Sequence, residues 1–107
     1  MKGSEKDMEI KYLEAAVSDL DNLMDYYYGR FGIDSAMKVY GQIRDSIAHL
    51  ADHPYLGVPS KDKVLKQLGY RELYSGCFVV IYRRETDVIY VYHVADTQTD
   101  YPHLFRS

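Results

Sequence analysis

The sequence predicts an α+β domain in which a meander of antiparallel strands covers a long helical hairpin. Three observations carry this. Two apolar stripes of helical period, Leu13 to Phe31 and Ala36 to Leu50, are separated by only a few residues. Three runs rich in Val, Ile and Tyr follow between Tyr70 and Val94, broken by short turn-formers. A short alternation of apolar and charged residues, MEIKY, precedes them all.

Residues 1–7 are polar, and a frayed terminus is expected there. Met8 to Tyr12 alternates as a short strand would. From Leu13 the period changes, and Leu13, Ala16, Val17, Leu20, Leu23, Met24, Tyr27 and Phe31 fall at steps of three and four. Asp19, Asp21, Asn22 and Asp25 lie between them, and Gly29 and Gly32 bracket Phe31 to mark the stop. Asp34 reads as the N-cap of the second helix, its carboxylate accepting from free amides of the next turn. Ala36, Val39, Tyr40, Ile43, Ile47 and Leu50 form that helix's stripe, and Pro54 closes it. Helices so closely linked must pack as an antiparallel hairpin. Pro54 to Pro59 is a loop, and Ser60 to Lys66 a charged connector. The strands are then Tyr70–Tyr74, Phe78–Arg83 and Val88–Val94, with turns at Ser75-Gly76 and Glu85-Thr86-Asp87. In the last strand, alternation puts Ile89, Val91 and His93 on one side and Val88, Tyr90, Tyr92 and Val94 on the other.

The 107 residues fit one domain, 1–107, and 47% hydrophobic residues suffice for a core. Twelve tyrosines and no tryptophan favour surfaces with an apolar body and a polar tip. A net charge of −3 argues against general attachment to nucleic acid, which needs surplus Lys and Arg. The balance is uneven: residues 1–53 hold six Lys/Arg against ten Asp/Glu, residues 54–107 seven against six. A lone Cys77 excludes an internal disulfide framework and fits a reducing compartment; its place between Gly76 and Phe78 suggests an inert, half-buried thiol at a strand edge. No apolar run approaches a membrane span, and MKGSEKDMEI lacks the apolar middle of a signal peptide. A cytoplasmic protein without membrane contact is expected.

His93, with Asp96 and Asp100 nearby, invites an acid–base reading. Yet no Ser or Cys stands beside it, and a histidine hydrogen-bonded at the sheet edge is the simpler expectation. His49 and His53 have the i, i+4 spacing of a metal pair but no evident third ligand, and His103 is ten residues beyond His93; no metal site and no cofactor is expected. Arg71, Arg83 and Arg84 are the arginines of the sheet. A shared face for Arg71 and one of the other two would make a fork for a carboxylate or phosphate; ion pairing with Glu72, Glu85 or Asp87 is the structural alternative. Lys61, Lys63 and Lys66, with Asp62 interposed, read as a solvated strip.

From Met8 to Phe105 the chain resembles the RelE/ParE superfamily of bacterial type II toxins. The resemblance rests on Tyr12, Ala16 and Asp19-Leu20, then Tyr26 to Phe31, and then Leu50, Pro54 and Gly57. It continues through the run Arg71, Leu73, Gly76, Phe78 and Tyr82, and closes on His93-Val94, Asp100-Tyr101 and Leu104. The two long helices before the sheet look like the ParE branch, the toxins of plasmid stabilisation systems. That resemblance implies a cognate antitoxin as partner and DNA gyrase as target, with Arg71, Tyr74, Arg83, Tyr90, Tyr92 and His93 as binding residues. It leaves homodimerisation open. An mRNA endoribonuclease of the RelE type is the alternative, with Arg71, Tyr82, Arg83, His93 and Tyr101 as a reduced catalytic set; a degenerate fold kept only for binding is a second. Where mRNA-cutting relatives carry Arg after Leu73 and after Phe78, this chain has Tyr74 and Val79, and its tail reads Asp96, Thr97, Gln98, Thr99. Neutral or negative groups there fail to offset charge building on a phosphate. The resemblance therefore points to a binding protein rather than an enzyme, with no direct nucleic-acid contact.

Overall fold

The computed structural model describes residues 8–97 and 101–105, with the His103 side chain left aside. The expectations for residues 1–7, for Gln98, Thr99 and Asp100 and for His103 lie outside those residues. Strand β1 (Glu9–Tyr12) leads into helix α1 (Glu14–Phe31) and helix α2 (Ile33–Ala48), which closes in a 3-10 turn at His49–Ala51. Then come β2 (Val58–Pro59), α3 (Lys63–Gln67), β3 (Tyr70–Ser75), β4 (Phe78–Glu85) and β5 (Val88–Asp96), with a second 3-10 turn at Tyr101–Phe105. The α+β class, the hairpin and the meander stand as the sequence predicts.

A single glycine makes the hairpin. Gly32 has φ of 91°, open to a residue without a Cβ, and it both ends α1 and opens α2. Its amide donates to Tyr28 O at 3.0 Å, and its own carbonyl receives Ala36 N at 3.2 Å. Asp34 is thus not the N-cap; it sits in the first turn, where its charge still suits the helix dipole. Ala16 and Ala36 are fully buried, and Leu20, Ile43, Ile47 and Leu50 join Ala16 beneath the sheet. The buried stripe of α1 is narrower than its periodicity: Val17, in the first turn, is 45% exposed, and Phe31, at the hairpin tip, 61%.

Among the described residues the sheet has five strands, in the order β1-β5-β4-β3-β2. β1 runs parallel to β5, from Glu9 opposite Val88 to Tyr12 opposite Val91; the other pairs are antiparallel. The connector is less open than its charges suggest. Part of it coils into α3, where Asp62 caps the helix by accepting from Leu65 N at 3.0 Å, and Leu65 tucks inward. Val58 and Pro59 add a two-residue strand to the edge. The Gly76-Cys77 turn leaves Cys77 exposed rather than half-buried.

β5 breaks its alternation once. Tyr82 pairs with Val91 but Ile81 pairs with His93, so Tyr92 is an inserted bulge residue. Beyond the bulge the phase flips. Val94 joins Ile89 and Val91 in the core against the helices, contrary to strict alternation, while His93 shares a face with Ile81. Each face of the sheet therefore has its own apolar cluster. Leu73, Val80, Tyr82, Ile89, Val91 and Val94 pack on the hairpin; Tyr70, Val79, Ile81 and Ala95 pack under Leu65, Tyr101 and Phe105 on the far side.

Candidate functional site

At the β2 edge the sheet is unfinished. Two residues of β2 cover only Arg71 and Glu72, so the outer edge of β3 from Leu73 to Ser75 has no strand partner among the described residues. A groove of about 340 Å³ runs beside that edge, walled by Ser46 and His49 of the α2 end, Leu56 to Val58, and Leu73 and Tyr74. Tyr55, Leu56 and Val58 are more than half exposed along it, a row of apolar side chains beside open backbone.

The loop that walls the groove is held from beneath. Tyr82, fully buried, donates its hydroxyl to Pro54 O at 2.9 Å and accepts from Gly57 N at 3.1 Å. Arg71 Nη2 donates to Gly57 O at 2.7 Å, and its guanidinium lies 5.1 Å from the Tyr55 ring. Arg84 reaches the same tyrosine, donating to its hydroxyl at 2.8 Å. Only glycine fits at 57, since a Cβ there would stand 2.4 Å from Glu72 O and 2.8 Å from the Tyr82 hydroxyl.

On the far face a fully buried carboxylate organises the edge. Glu72 accepts from Lys61 N at 2.9 Å, from the Tyr74 hydroxyl at 2.7 Å and from the Tyr101 hydroxyl. Ser60 Oγ adds a contact to Tyr101 at 2.6 Å. Burial, and then donation to Glu72, push the Tyr101 phenol well above its ordinary range. Tyr101 is a latch for the C-terminal turn, held as a neutral donor. Beyond it, Phe105 packs edge-on against Tyr70 and His93. Arg83 lies over Tyr70 and Tyr92 at 5.0 and 5.6 Å and pairs with Glu85.

His93 is engaged from α1. Where β1 ends, the β5 edge would be left open; Asp19 closes it, accepting from Val94 N and meeting His93 Nδ1, both at 2.9 Å. Asp96 closes β5 rather than starting the turn after it. Among the described residues no group of three His, Cys, Asp or Glu is placed to hold a metal ion.

The residues singled out from sequence thus fall in two places. Arg71 and Tyr82 lie on the hairpin side, with Arg84 in phase; Arg83, Tyr90, His93 and Tyr101 lie on the far side, and Tyr74 sits at the edge. Arg83 is therefore not in the hairpin-side groove with Arg71, because adjacent cross-strand pairs in β3–β4 point to opposite faces. Sequence reasoning missed Tyr55, Ser60 and the burial of Glu72. Glu72 was legible only as a charge flanked by Arg71 and Leu73 in a strand, and an inward-facing Glu there needs donors brought from residues 61 and 101.

A family model described as the ParE toxin of the type II toxin–antitoxin system parDE matches residues 10–101. Toxin ParE1 of Caulobacter vibrioides is 34% identical over 68 residues, which are 64% of this chain and 68% of that protein. The chromosomal ParDE toxin–antitoxin system of P. aeruginosa matches with a TM-score of 0.72 at 24% identity, over 83% of this chain and 95% of that one. The toxin–antitoxin complex RelBE2 of Mycobacterium tuberculosis matches at 0.64 and 14% identity, over 85% and 99%. At these identities the two structures bear on the fold.

Proposed function

Since this chain belongs to the ParE toxin family of type II toxin–antitoxin systems, we propose that it arrests growth by gripping a protein, and that a cognate antitoxin neutralises it from the edge groove. The observation that carries the binding mode is the separation of Arg71 and Tyr82 from Arg83, His93 and Tyr101 by the thickness of the sheet. One scissile phosphate cannot meet both groups, and cleavage needs acid, base and charge stabiliser around one reacting centre. Most of these side chains are also committed to structural partners, Tyr82 to Pro54 and Gly57, Tyr101 to Glu72, and His93 to Asp19.

The groove supplies what an extended antitoxin segment needs. Unpaired β3 backbone offers main-chain hydrogen bonds, and Leu56, Val58 and Leu73 offer an apolar bed for alternate side chains. Arg71 supports the loop from below, and Arg84 beside it offers charge to acidic residues, so the antitoxin is expected to be acidic there. Tyr90, Tyr92, Arg83 and His93 belong to a far face that is left for the target, while Tyr74 stands at the edge and lines the groove. DNA gyrase as that target follows from the ParE branch alone.

Inducible expression with and without the neighbouring antitoxin gene tests the whole. Growth arrest with a DNA-damage response, inhibition of gyrase supercoiling by the purified chain, and rescue by the antitoxin are expected. Codon-positioned cuts in translated messages, mapped by primer extension and lost in a His93→Ala variant, would replace this reading with an mRNA endoribonuclease.

A further inference from the structure

The arginines of β3 and β4 are met unevenly. Arg83, on the far face, pairs with Glu85. Arg71 and Arg84 face the hairpin side, and among the described residues neither has a carboxylate oxygen within 4.0 Å. Both rest instead on one ring: their guanidinium carbons lie 5.1 and 5.7 Å from the centroid of Tyr55, which is 62% exposed. Arg30 and Arg44 also lie over tyrosines, but among the described residues Tyr55 is the ring that two arginines share. A tyrosine face offsets part of a cation's charge and leaves the two cations to repel each other. Nor are their donors used up. Arg71 gives Nη2 to the carbonyls of Gly57 and Tyr55, and Arg84 gives Nη1 to the Tyr55 hydroxyl. Arg71 Nη1 and Arg84 Nη2 donate to no group among the described residues, and Arg71 Nε is buried without an acceptor. Asp52, earlier on the same loop, lines a hollow with His53, Pro54, Tyr55 and Leu56 that neither arginine lines.

We propose that Arg71, Arg84 and Tyr55 form an oxyanion site, and that its ligand carries a doubly charged phosphate group. Guanidinium forks match the oxygens of carboxylate and phosphate alike, so the count of charges decides between them. One carboxylate balances one arginine and leaves the other unmet. A phosphate monoester near neutral pH brings a charge of about −2 and several acceptor oxygens, enough for both. A long polyanion is opposed by the chain's net charge of −3, whereas a single phosphate group meets the local cations at close range. The ligand is therefore free phosphate or a phosphate monoester, not a nucleic-acid strand. The site adjoins the edge groove, because Arg71 holds Gly57 and both Gly57 and Leu56 are groove walls. A bound phosphate takes the place given above to the antitoxin's acidic residues, so phosphate and antitoxin compete. That competition, unlike the anion site, rests on the function proposed above.

The probes are inorganic phosphate, phenyl phosphate, dimethyl phosphate and acetate, titrated into the isotope-labelled chain by NMR at constant ionic strength set with chloride. The side-chain Nε–Hε signals of Arg71 and Arg84 are expected to move with the two dianions, while those of Arg83 and Arg30 stay still. Dimethyl phosphate and acetate, each a single charge, are expected to bind about tenfold more weakly. Tighter binding of phenyl phosphate than of inorganic phosphate assigns the site to a monoester; the reverse assigns it to the free ion. Arg84→Gln is expected to weaken both dianions about tenfold, and Arg84→Lys, which keeps the charge and loses the fork, by less. Arg84 is exposed, and its replacement leaves the hold of Arg71 on Gly57 in place, so the fold should survive. Phosphate should accordingly raise the melting temperature of the wild type and leave that of Arg84→Gln unmoved. Acetate as effective as phosphate, equal movement at Arg83 and Arg30, or undiminished binding by Arg84→Gln would each overturn the site. Phosphate is also expected to raise the antitoxin concentration needed for half-saturation of the wild type. Antitoxin binding indifferent to phosphate overturns the competition alone. Failure of the wild type to arrest growth would instead remove the proposed function and leave the titration standing.

Discussion

Glu72 sits at 0% exposure with Lys61 N, Tyr74 and Tyr101 donating to it, and the energy of that arrangement is concentrated in single hydrogen atoms. Tyr101→Phe removes one donor from a buried carboxylate and is expected to cost about 1–3 kcal/mol in denaturant melts. It also changes alkaline behaviour. The folded phenol holds its proton above its ordinary range, whereas the unfolded one releases it near pH 10. Its contribution is therefore complete below about pH 10 and lost as pH rises beyond, so Tyr101→Phe should lose less stability than wild type as pH is raised above about 10. Thr86 is a second residue where one atom matters: it has φ of 54° in the β4–β5 turn, a conformation that a β-branched side chain resists. Thr86→Gly is expected to gain about 0.5–1 kcal/mol, read as a higher melting temperature, the strain relieved exceeding the entropy lost. Little of this scale was legible beforehand. The turn at residues 85–87 could be read from its residue types, but positive φ at Thr86 is imposed by the two strands it joins.

The elements that read clearly are those whose signal is local. Both long helices announce themselves by a 3.6-residue stripe, and the single residue between them leaves only the antiparallel arrangement. Elements decided by partners read poorly. β2 is two residues whose only reason to extend is the edge of β3, and α3 is a single turn and a half fixed by the Asp62 cap and the burial of Leu65. The β5 bulge is the clearest case: nothing in VIYVYHVAD marks Tyr92 as the inserted residue, and the register with β4 and the Asp19 carboxylate select it. Asp19→Ala strips the acceptor from Val94 N and from His93, with an expected loss of about 1–2 kcal/mol given that Asp19 is partly exposed. Faster hydrogen exchange at Val94, with Ile89 and Val91 unaffected, would locate the effect at the bulge.

For the molecule as a whole, the sheet is a partition. The candidate residues were each identifiable from sequence, but their distribution over two faces depends on a register that no local pattern states. Arg71 and Arg83 look equivalent along the chain and end up back to back. The partition makes a testable claim about binding. Leu56→Asp with Val58→Asp places charge in the edge groove on side chains already half exposed, so melting should shift by only a few degrees. Antitoxin co-purification is expected to fail, while gyrase inhibition, which the proposed function assigns to the other side, is expected to persist. Loss of both together would argue that one surface serves both partners.

The parallel alignment of β1 with β5 has a consequence for synthesis. Among the described strands β1 is synthesised before β5 and must wait for it, with β3 and β4 made in between. A nascent polypeptide stalled before Val88 is therefore expected to leave β1 unpaired and open to protease, and limited proteolysis of stalled chains checks it.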